Sequence, residues 1–364
     1  MPRIAIIGAG TSGLCCAIEL ERHGIAPAIF EQSNRPGGVF AHVGGILQLM
    51  NRPIKDQLAY LYHQLRLRVQ PLATLKKIIM HTPNTTRTIT GQLGYLILKG
   101  QDEESLEGQL FNLLQTPVFF NHYADWREMA RHYDYVVVAN GTPQVARTLG
   151  CWQEILKTWV RGAIVLGNFD PHTLIVWFNT KYCRSTYAYL TPFNSQRASL
   201  ILIVTESNAD EIEEKWRLFW EIEGFNYPVV ENFSLQHVSG YCYPPQVGNV
   251  LLAGNAGGFM EPFLGFGLMA AVRSGIYAGR ALARGESYTD LTHDLRGQII
   301  QALALRRMLN GMTNADYDRV VNLITTPGIR QFIYNTNVDV LKISTTLLTH
   351  LERLKQMCDR GTVL

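Results

Sequence analysis

The chain has 364 residues, 47% of them hydrophobic and 17% charged, with a formal net charge of +3. That length can bury a large core and hold more than one domain, and the apolar fraction excludes a disordered or fibrous chain. The small positive charge is dispersed, with no Lys/Arg block or basic stripe, so no nucleic-acid partner is expected.

The six cysteines form no Cys-x-x-Cys pair and none stands at zinc spacing from a histidine. No metal site is expected, and all six read as reduced thiols of a cytoplasmic protein. No run of about 18 apolar residues is present, so no bilayer-spanning helix is expected. The apolar start, residues 4–10, reads as a strand entering a glycine turn, not as a secretion signal.

In chain order, residues 3–7 read as a short buried strand, continuous and β-branched. Residues 11–23 read as a helix stopped by Gly24, and residues 26–30 as a second strand ending at Glu31. This is a βαβ unit of dinucleotide-binding length. Arg35-Pro36-Gly37-Gly38 and Gly44-Gly45 punctuate a loop; residues 56–67 follow as a helix. Residues 72–98 read as short strands around a Pro83-Asn84 turn, 102–114 as a helix, and 118–120 and 135–139 as further strands.

Between residues 163 and 205 the pattern changes. Strands at 163–166, 174–178, 185–190 and 198–204 follow one another through turns, not helices, which predicts a separate, mainly antiparallel sheet. Residues 209–223 form an amphipathic helix, 250–253 a strand of the parallel type and 268–284 a helix; the remainder is helical with a break at 325–328. The expected fold class is α/β. A Rossmann-type domain takes residues 1–70, 100–160 and 246–290, an antiparallel-sheet substrate domain 71–99 and 161–245, and a helical C-terminal region 291–364.

Three glycine motifs carry the chemistry. In Gly8-Ala9-Gly10-Thr11-Ser12-Gly13, the first glycine permits a tight turn, Gly10 lets backbone approach a pyrophosphate, and Gly13 lets the helix pack close to the sheet. The helix N-terminus offers free N–H groups to phosphates. Glu31 can accept both hydroxyls of an adenosine ribose and repels a 2′-phosphate, so FAD or NAD is favoured over NADP. Gly38, Asn140 and Gly141 add glycine-rich turns to the same set. The third motif runs from Gly254-Asn255 through Pro262 and Gly265-Phe266-Gly267-Leu268 into a long helix. A second helix N-terminus is redundant for NAD but suits a flavin ring far from its adenosine. N–H groups at Gly267 and Leu268 would face N1 and O2, and the helix dipole would stabilise charge on the reduced ring.

These motifs resemble the FAD-binding motifs of the p-hydroxybenzoate-hydroxylase-like flavoproteins. Within that group, residues 254–263 resemble the geranylgeranyl reductase family, whose pattern is Gly-Asp-Ala-Ala-Gly-Phe, then Pro-Phe and Gly-x-Gly. Tyr187-Ala188-Tyr189-Leu190-Thr191-Pro192-Phe193 resembles that family's aromatic substrate-sheet motif, with Tyr189 where the family has Trp. Asn255 replaces the acid that normally contacts the flavin ribityl chain, and Asn140 stands where small residues are usual. The resemblance implies an FAD-dependent oxidoreductase transferring hydride from reduced flavin to double bonds of a large apolar, isoprenoid-like substrate. A monooxygenase on the same fold and a flavoprotein with a non-redox role, as in lycopene-cyclase-like proteins, remain alternatives.

Tyr187, Tyr189 and Phe193 alternate and so share one sheet face, with Trp177 contributing from a neighbouring strand. That aromatic face suits an apolar substrate and equally suits a packed core. Proton-donor candidates are His42, in the loop after Glu31, and Cys242 and Tyr243, before the last cofactor strand. Glu261 is a further polar group beside the third motif. No second glycine fingerprint exists, so electrons must come from NAD(P)H bound transiently or from a donor protein. Leu347, Leu348, Leu351 and Leu354, beside Lys342, Arg353 and Lys355, form an amphipathic pattern that can pack on the protein, on another subunit or on a membrane surface. The pattern sets no oligomeric state.

Overall fold

A computed structural model describes residues 1–346. In chain order the first elements are β1 (Ile4–Ile7), α1 (Thr11–Glu21), β2 (Ala28–Phe30), β3 (His42–Leu47), α2 (Gln57–Leu65), β4 (Ala73–Thr82), β5 (Thr85–Lys99), α3 (Leu106–Phe111), β6 (Val118–Phe119), α4 (Trp126–His132), β7 (Tyr135–Val138) and α5 (Gln144–Thr148). Then come β8 (Trp152–Leu166), β9 (Thr173–Trp177), α6 (Thr180–Cys183), β10 (Ala188–Pro192), β11 (Arg197–Thr205), α7 (Ala209–Glu223), β12 (Val229–Cys242), β13 (Gln246–Val247) and β14 (Val250–Leu252). The described part ends with α8 (Leu268–Arg284), α9 (Tyr288–Leu291), α10 (His293–Asn310), α11 (Asn314–Thr325) and α12 (Pro327–Asn335).

The apolar, β-branched runs pair into a sheet of order β13-β14-β7-β1-β2-β6, parallel except for the β13–β14 edge. Every residue of β1 and β14 is buried, as expected for strands covered on both faces. Helices α1 and α8 cover one face around Leu14, Ile18, Leu20, Val272 and Ile276. The other face packs Val136, Val138 and Leu252 against Val145 and Ala146 of α5.

The second sheet has the order β12-β8-β11-β10-β9-β4-β5-β3 and is antiparallel except where β4 meets β9. Side-chain alternation divides it into two faces. One packs on α7, with Ala188, Leu190, Leu200 and Leu202 against Ile212, Trp216 and Phe219. The other carries Ile164, Ile201 and Phe233 in one cluster and Met80, Leu96 and Val176 in its neighbour.

Several expectations need correction. The stretch 42–47, read as loop because of Gly44-Gly45, is strand β3, paired with β5 from His42↔Lys99 to Leu47↔Gly94. Residues 152–160, placed in the first domain, open the long strand β8, which pairs with β11 and β12. The 14 residues of β12 carried no clean alternation and were not expected as a strand. A short helix, α6, joins β9 to β10 where turns alone were expected, with the Asn179 side chain accepting from the Lys181 N–H at its start. Helix α3 covers 106–111 only, capped by Ser105, because the acidic segment before it forms turns.

The five cysteines among the described residues are buried free thiols. No helix among those residues is long and apolar enough to cross a membrane. The amphipathic pattern at Leu347–Leu354 lies outside the described residues.

Candidate functional site

Strand order creates the site. The chain leaves β1 toward β2 on one side and returns as β7 on the other. The carboxyl ends of β1 and β7 therefore open a crevice between divergent connections. Gly8, directly after β1, has φ of +104°, and a Cβ on Gly13 would lie 2.0 Å from the Gly8 carbonyl oxygen. Glycine at both positions lets α1 start hard against the strand turn. Gly10 is the N-cap of α1 and no side chain caps that end, so the first N–H groups of the helix remain available to an anion.

The crevice has a volume of about 680 Å³. Of the residues expected from sequence, Gly8, Gly10, Ser12, Glu31, Gly38, Asn140, Gly141 and Asn255 line it together. Glu31 sits at the end of β2, 8% exposed. Its Oε2 accepts the Ala9 N–H and its Oε1 the Ser33 N–H, both at 2.8 Å, which holds the carboxylate at the crevice wall. A Cβ on Gly10 or Gly141 would meet nothing within 4 Å. The Oδ1 of Asn255 is buried and has no partner. Open space at the glycine turns, an uncapped helix end, a ribose-type carboxylate and an orphaned acceptor together fit a dinucleotide cofactor.

The other expected positions lie behind or beyond the crevice. Gly13 is in the α1–β1 packing, and the Gly254 N–H donates to Ser274 Oγ at 3.0 Å. Pro262, Gly265 and Gly267 belong to the loop that leads into α8 and Leu268 opens the helix; Gly267 is the helix N-cap, again without a side-chain cap. Ala271, one turn into α8, lines the crevice, so the helix reaches the cavity just beyond its own N-terminus.

The loop before α8 is held by Glu261, whose carboxylate accepts N–H groups from Phe263 (2.6 Å), Leu264 (3.1 Å) and Phe266 (2.9 Å). Burial pushes its carboxyl up to about 7, against those bonds and the nearby Arg306 charge.

Sequence reading missed Lys99. At the end of β5 it lines the crevice, pairs with buried Glu107 and donates to Thr11 Oγ1 at 2.7 Å. Burial pushes the Glu107 carboxyl up, but the Lys99 charge and bonds from Lys99 and Thr11 outweigh it and hold the group below its usual range. No motif marks Lys99; only pairing of β3, β5 and α3 brings it there. Missed as well were His122, ring to ring with Phe30 at 5.1 Å, and Arg127, 4.7 Å over the Trp126 ring, which wall the Glu31 end.

The three proton-donor candidates are not brought together. His42 begins β3 opposite Lys99, and its Nδ1 lies 3.1 Å from the Phe40 carbonyl oxygen. Burial lowers its pKa, against the bond to the Phe40 carbonyl, and the Lys99 charge adds to the lowering. Cys242 is buried in the cluster of Val138, Leu252 and Ala256, its Sγ 3.6 Å from Cys151 Sγ. Tyr243 is 56% exposed, with Arg296 5.2 Å over its ring. None of the three lines the crevice.

Tyr187, Tyr189 and Phe193 pack in one cluster, and Tyr189 and Phe193 extend it toward Phe40 and Phe233. Trp177 does not join them. It pairs with Ala188, so its ring points to the α7 side, between Phe219 and Phe225 at 5.6 and 5.4 Å. Its neighbour Phe178 takes the place expected for it, 6.1 Å from Tyr187.

A family model described as an NAD(P)-binding Rossmann-like domain matches residues 6–43. No curated protein sequence matches the chain. Solved structures do. A geranylgeranyl bacteriochlorophyll reductase-like protein from Thermoplasma acidophilum superposes with a TM-score of 0.73 at 12% identity, covering 98% of both chains. A flavin-dependent brominase gives 0.65 at 14% identity over 99% of each chain. A flavoprotein/dehydrogenase from Cytophaga hutchinsonii gives 0.64 at 13%, over 96% of this chain and 99% of that one. At these identities the likeness is one of fold, and it bears out the fold class read from the motifs.

Proposed function

We propose that the chain is an FAD-dependent oxidoreductase whose substrate is a large apolar, isoprenoid-like molecule reduced at a double bond. The observation that carries this reading is the crevice itself. Three glycine turns far apart in sequence meet on one cavity that runs from Glu31 to the first turn of α8. The flavin enzymes that share the fold support FAD as the occupant.

In this reading Glu31 accepts the ribose hydroxyls and the open end of α1 meets the pyrophosphate, with the Lys99 charge beside it. Asn255, which lines the crevice with its Nδ2 on the Gly141 carbonyl, stands where the ribityl chain would pass. The N-terminus of α8 at Gly267 and Leu268 faces the ring and stabilises negative charge there. FAD, when bound, supplies the hydride carrier.

The chain's residues also shape the substrate end. Phe40, stacked on Phe233 at 5.3 Å, follows Gly38 and Val39 of the crevice wall. The aromatic face of Tyr189 and Phe193 therefore begins where the crevice ends, which suits an apolar chain. Of the proton-donor candidates, His42 is favoured, because it is the strand partner of Lys99, which lines the crevice, although His42 itself does not line it. NAD(P)H bound transiently, or a donor protein, supplies the electrons.

The test is anaerobic reduction of the yellow protein with NADPH or dithionite, followed by candidate isoprenoids. A saturated product formed without oxygen supports the reductase. A hydroxylated product formed only in air replaces it with a monooxygenase. A bound flavin that no donor bleaches points to a non-redox role, and a colourless protein that cannot be reconstituted with FAD sinks the whole reading.

A further inference from the structure

The loop between the third glycine motif and α8 has neither helix nor strand to satisfy its backbone, yet side chains bond the N–H and C=O of both Phe263 and Leu264. Glu261 takes the two N–H groups. The carbonyl oxygens go elsewhere: Tyr187 Oη donates to that of Leu264 at 2.6 Å, and Arg306 Nη1 to that of Phe263 at 3.3 Å. Arg306 comes from α10, 3% exposed. Its Nη2 donates to the Ser185 carbonyl at 2.5 Å and its Nε to Asn310 Oδ1 at 2.9 Å. Among the described residues no carboxylate lies within ion-pair distance of it. Glu261 acts on it through space only, a buried guanidinium without a bonded acid is costly to keep, and here all three of its bonds go to neutral carbonyl oxygens.

We infer that Arg306 is a positioning residue for the flavin-ring end of the site, an inference that rests on the FAD reading above. One planar fork joins the ring loop, through Phe263, to the segment leading into the aromatic strand, through Ser185. Tyr187, two residues on, repeats the link at Leu264. The height of the α8 N-terminus over the ring, and its distance from the aromatic face, are thereby set by the C-terminal helices. Lysine keeps the charge but cannot span both carbonyls with the same geometry.

The experiment uses the FAD-loaded protein and compares Arg306→Met, Arg306→Lys and, as a control on the same helix, Arg296→Met. Arg296 is a second buried arginine, ten residues earlier on the same helix, bonded to Thr292 and lying over the Tyr243 ring, with no bond to this loop among the described residues. Visible absorption of the bound flavin, its reduction potential and the FAD dissociation constant are read. Arg306→Met is expected to shift the absorption bands and the potential and to weaken FAD roughly ten-fold. Arg306→Lys should fall between it and wild type, and Arg296→Met should match wild type. A folded Arg306→Met protein with wild-type spectrum, potential and affinity overturns the inference, as does an equal effect from Arg296→Met. If Arg306→Met does not fold, Arg306→Lys is read alone, and wild-type values there overturn it. A wild-type chain that binds no FAD defeats the FAD reading first, and this inference with it.

Discussion

The Nδ2 of Asn255 donates to the carbonyl oxygen of Gly141 at 2.7 Å, tying the turn after β14 to the turn after β7 across the crevice. An aspartate could not make this bond, because a carboxylate has no donor. The departure from the acid usual in the resembling family thus has a structural use: it couples two of the three glycine turns. Asn255→Asp should lose the tie and set negative charge against the Gly141 carbonyl. FAD affinity is expected to fall by about 1–2 kcal/mol, near ten-fold, measured by quenching of flavin fluorescence. Equal affinity would show that the tie does not hold the turns.

Gly13→Ala should be far more damaging. Its Cβ would sit 2.0 Å from the Gly8 carbonyl oxygen and 3.3 Å from Ala139 Cβ, so α1 must move off the sheet. Overpacking of this kind costs roughly 3 kcal/mol or more. Urea unfolding of the apo protein should record that loss, together with loss of FAD retention on gel filtration.

Lys99→Met leaves Glu107 buried without its charge partner. The expected destabilisation is roughly 3–5 kcal/mol. Adding Glu107→Gln should restore part of it, since the uncompensated charge is then gone. A single mutant as stable as wild type would mean that the pair contributes nothing.

Glu261 predicts a pH dependence. Its folded pKa of about 7 lies above that of an unfolded glutamate, so the folded chain binds this proton more tightly. Stability is greatest below the ordinary glutamate range, falls as pH rises toward 7 and levels off above it. The total is roughly 2 kcal/mol, allowing for screening by water. Glu261→Gln should flatten that part of the melting-temperature profile between pH 5 and pH 8, while an unchanged slope would assign it to other groups.

Trp177 and Tyr189 should separate stability from substrate handling. Trp177→Ala empties a site under α7 and should cost roughly 3–5 kcal/mol without changing KM. Tyr189→Ala should raise KM for apolar substrates. A KM effect from Trp177 would contradict its placement on the far face of the sheet.

The crevice was legible in the sequence because its chemistry is local. A strand, a glycine turn and a helix start need only neighbouring residues to declare themselves, and Gly8, Gly10, Glu31, Gly141 and Asn255 meet as their motifs imply. Helices α7 and α8 were legible to the residue for the same reason: long periodic segments bounded by glycine. Strands β3 and β12 were not. Gly44-Gly45 signals a turn locally, yet the neighbouring strand supplies the backbone partners that hold it extended.

The amino-acid order by itself determined where a dinucleotide would lie, since that depends on backbone turns and on one carboxylate at a strand end. Only the tertiary structure decided which charges and which faces serve it. Lys99, Glu107 and Arg306 stand in no motif and are brought in by strand pairing and helix packing. Trp177 and Tyr189 are both strand aromatics, but a sheet covered on both sides hides which parity faces the site. That assignment is a property of what packs above and below the sheet, so no stretch of chain contains it.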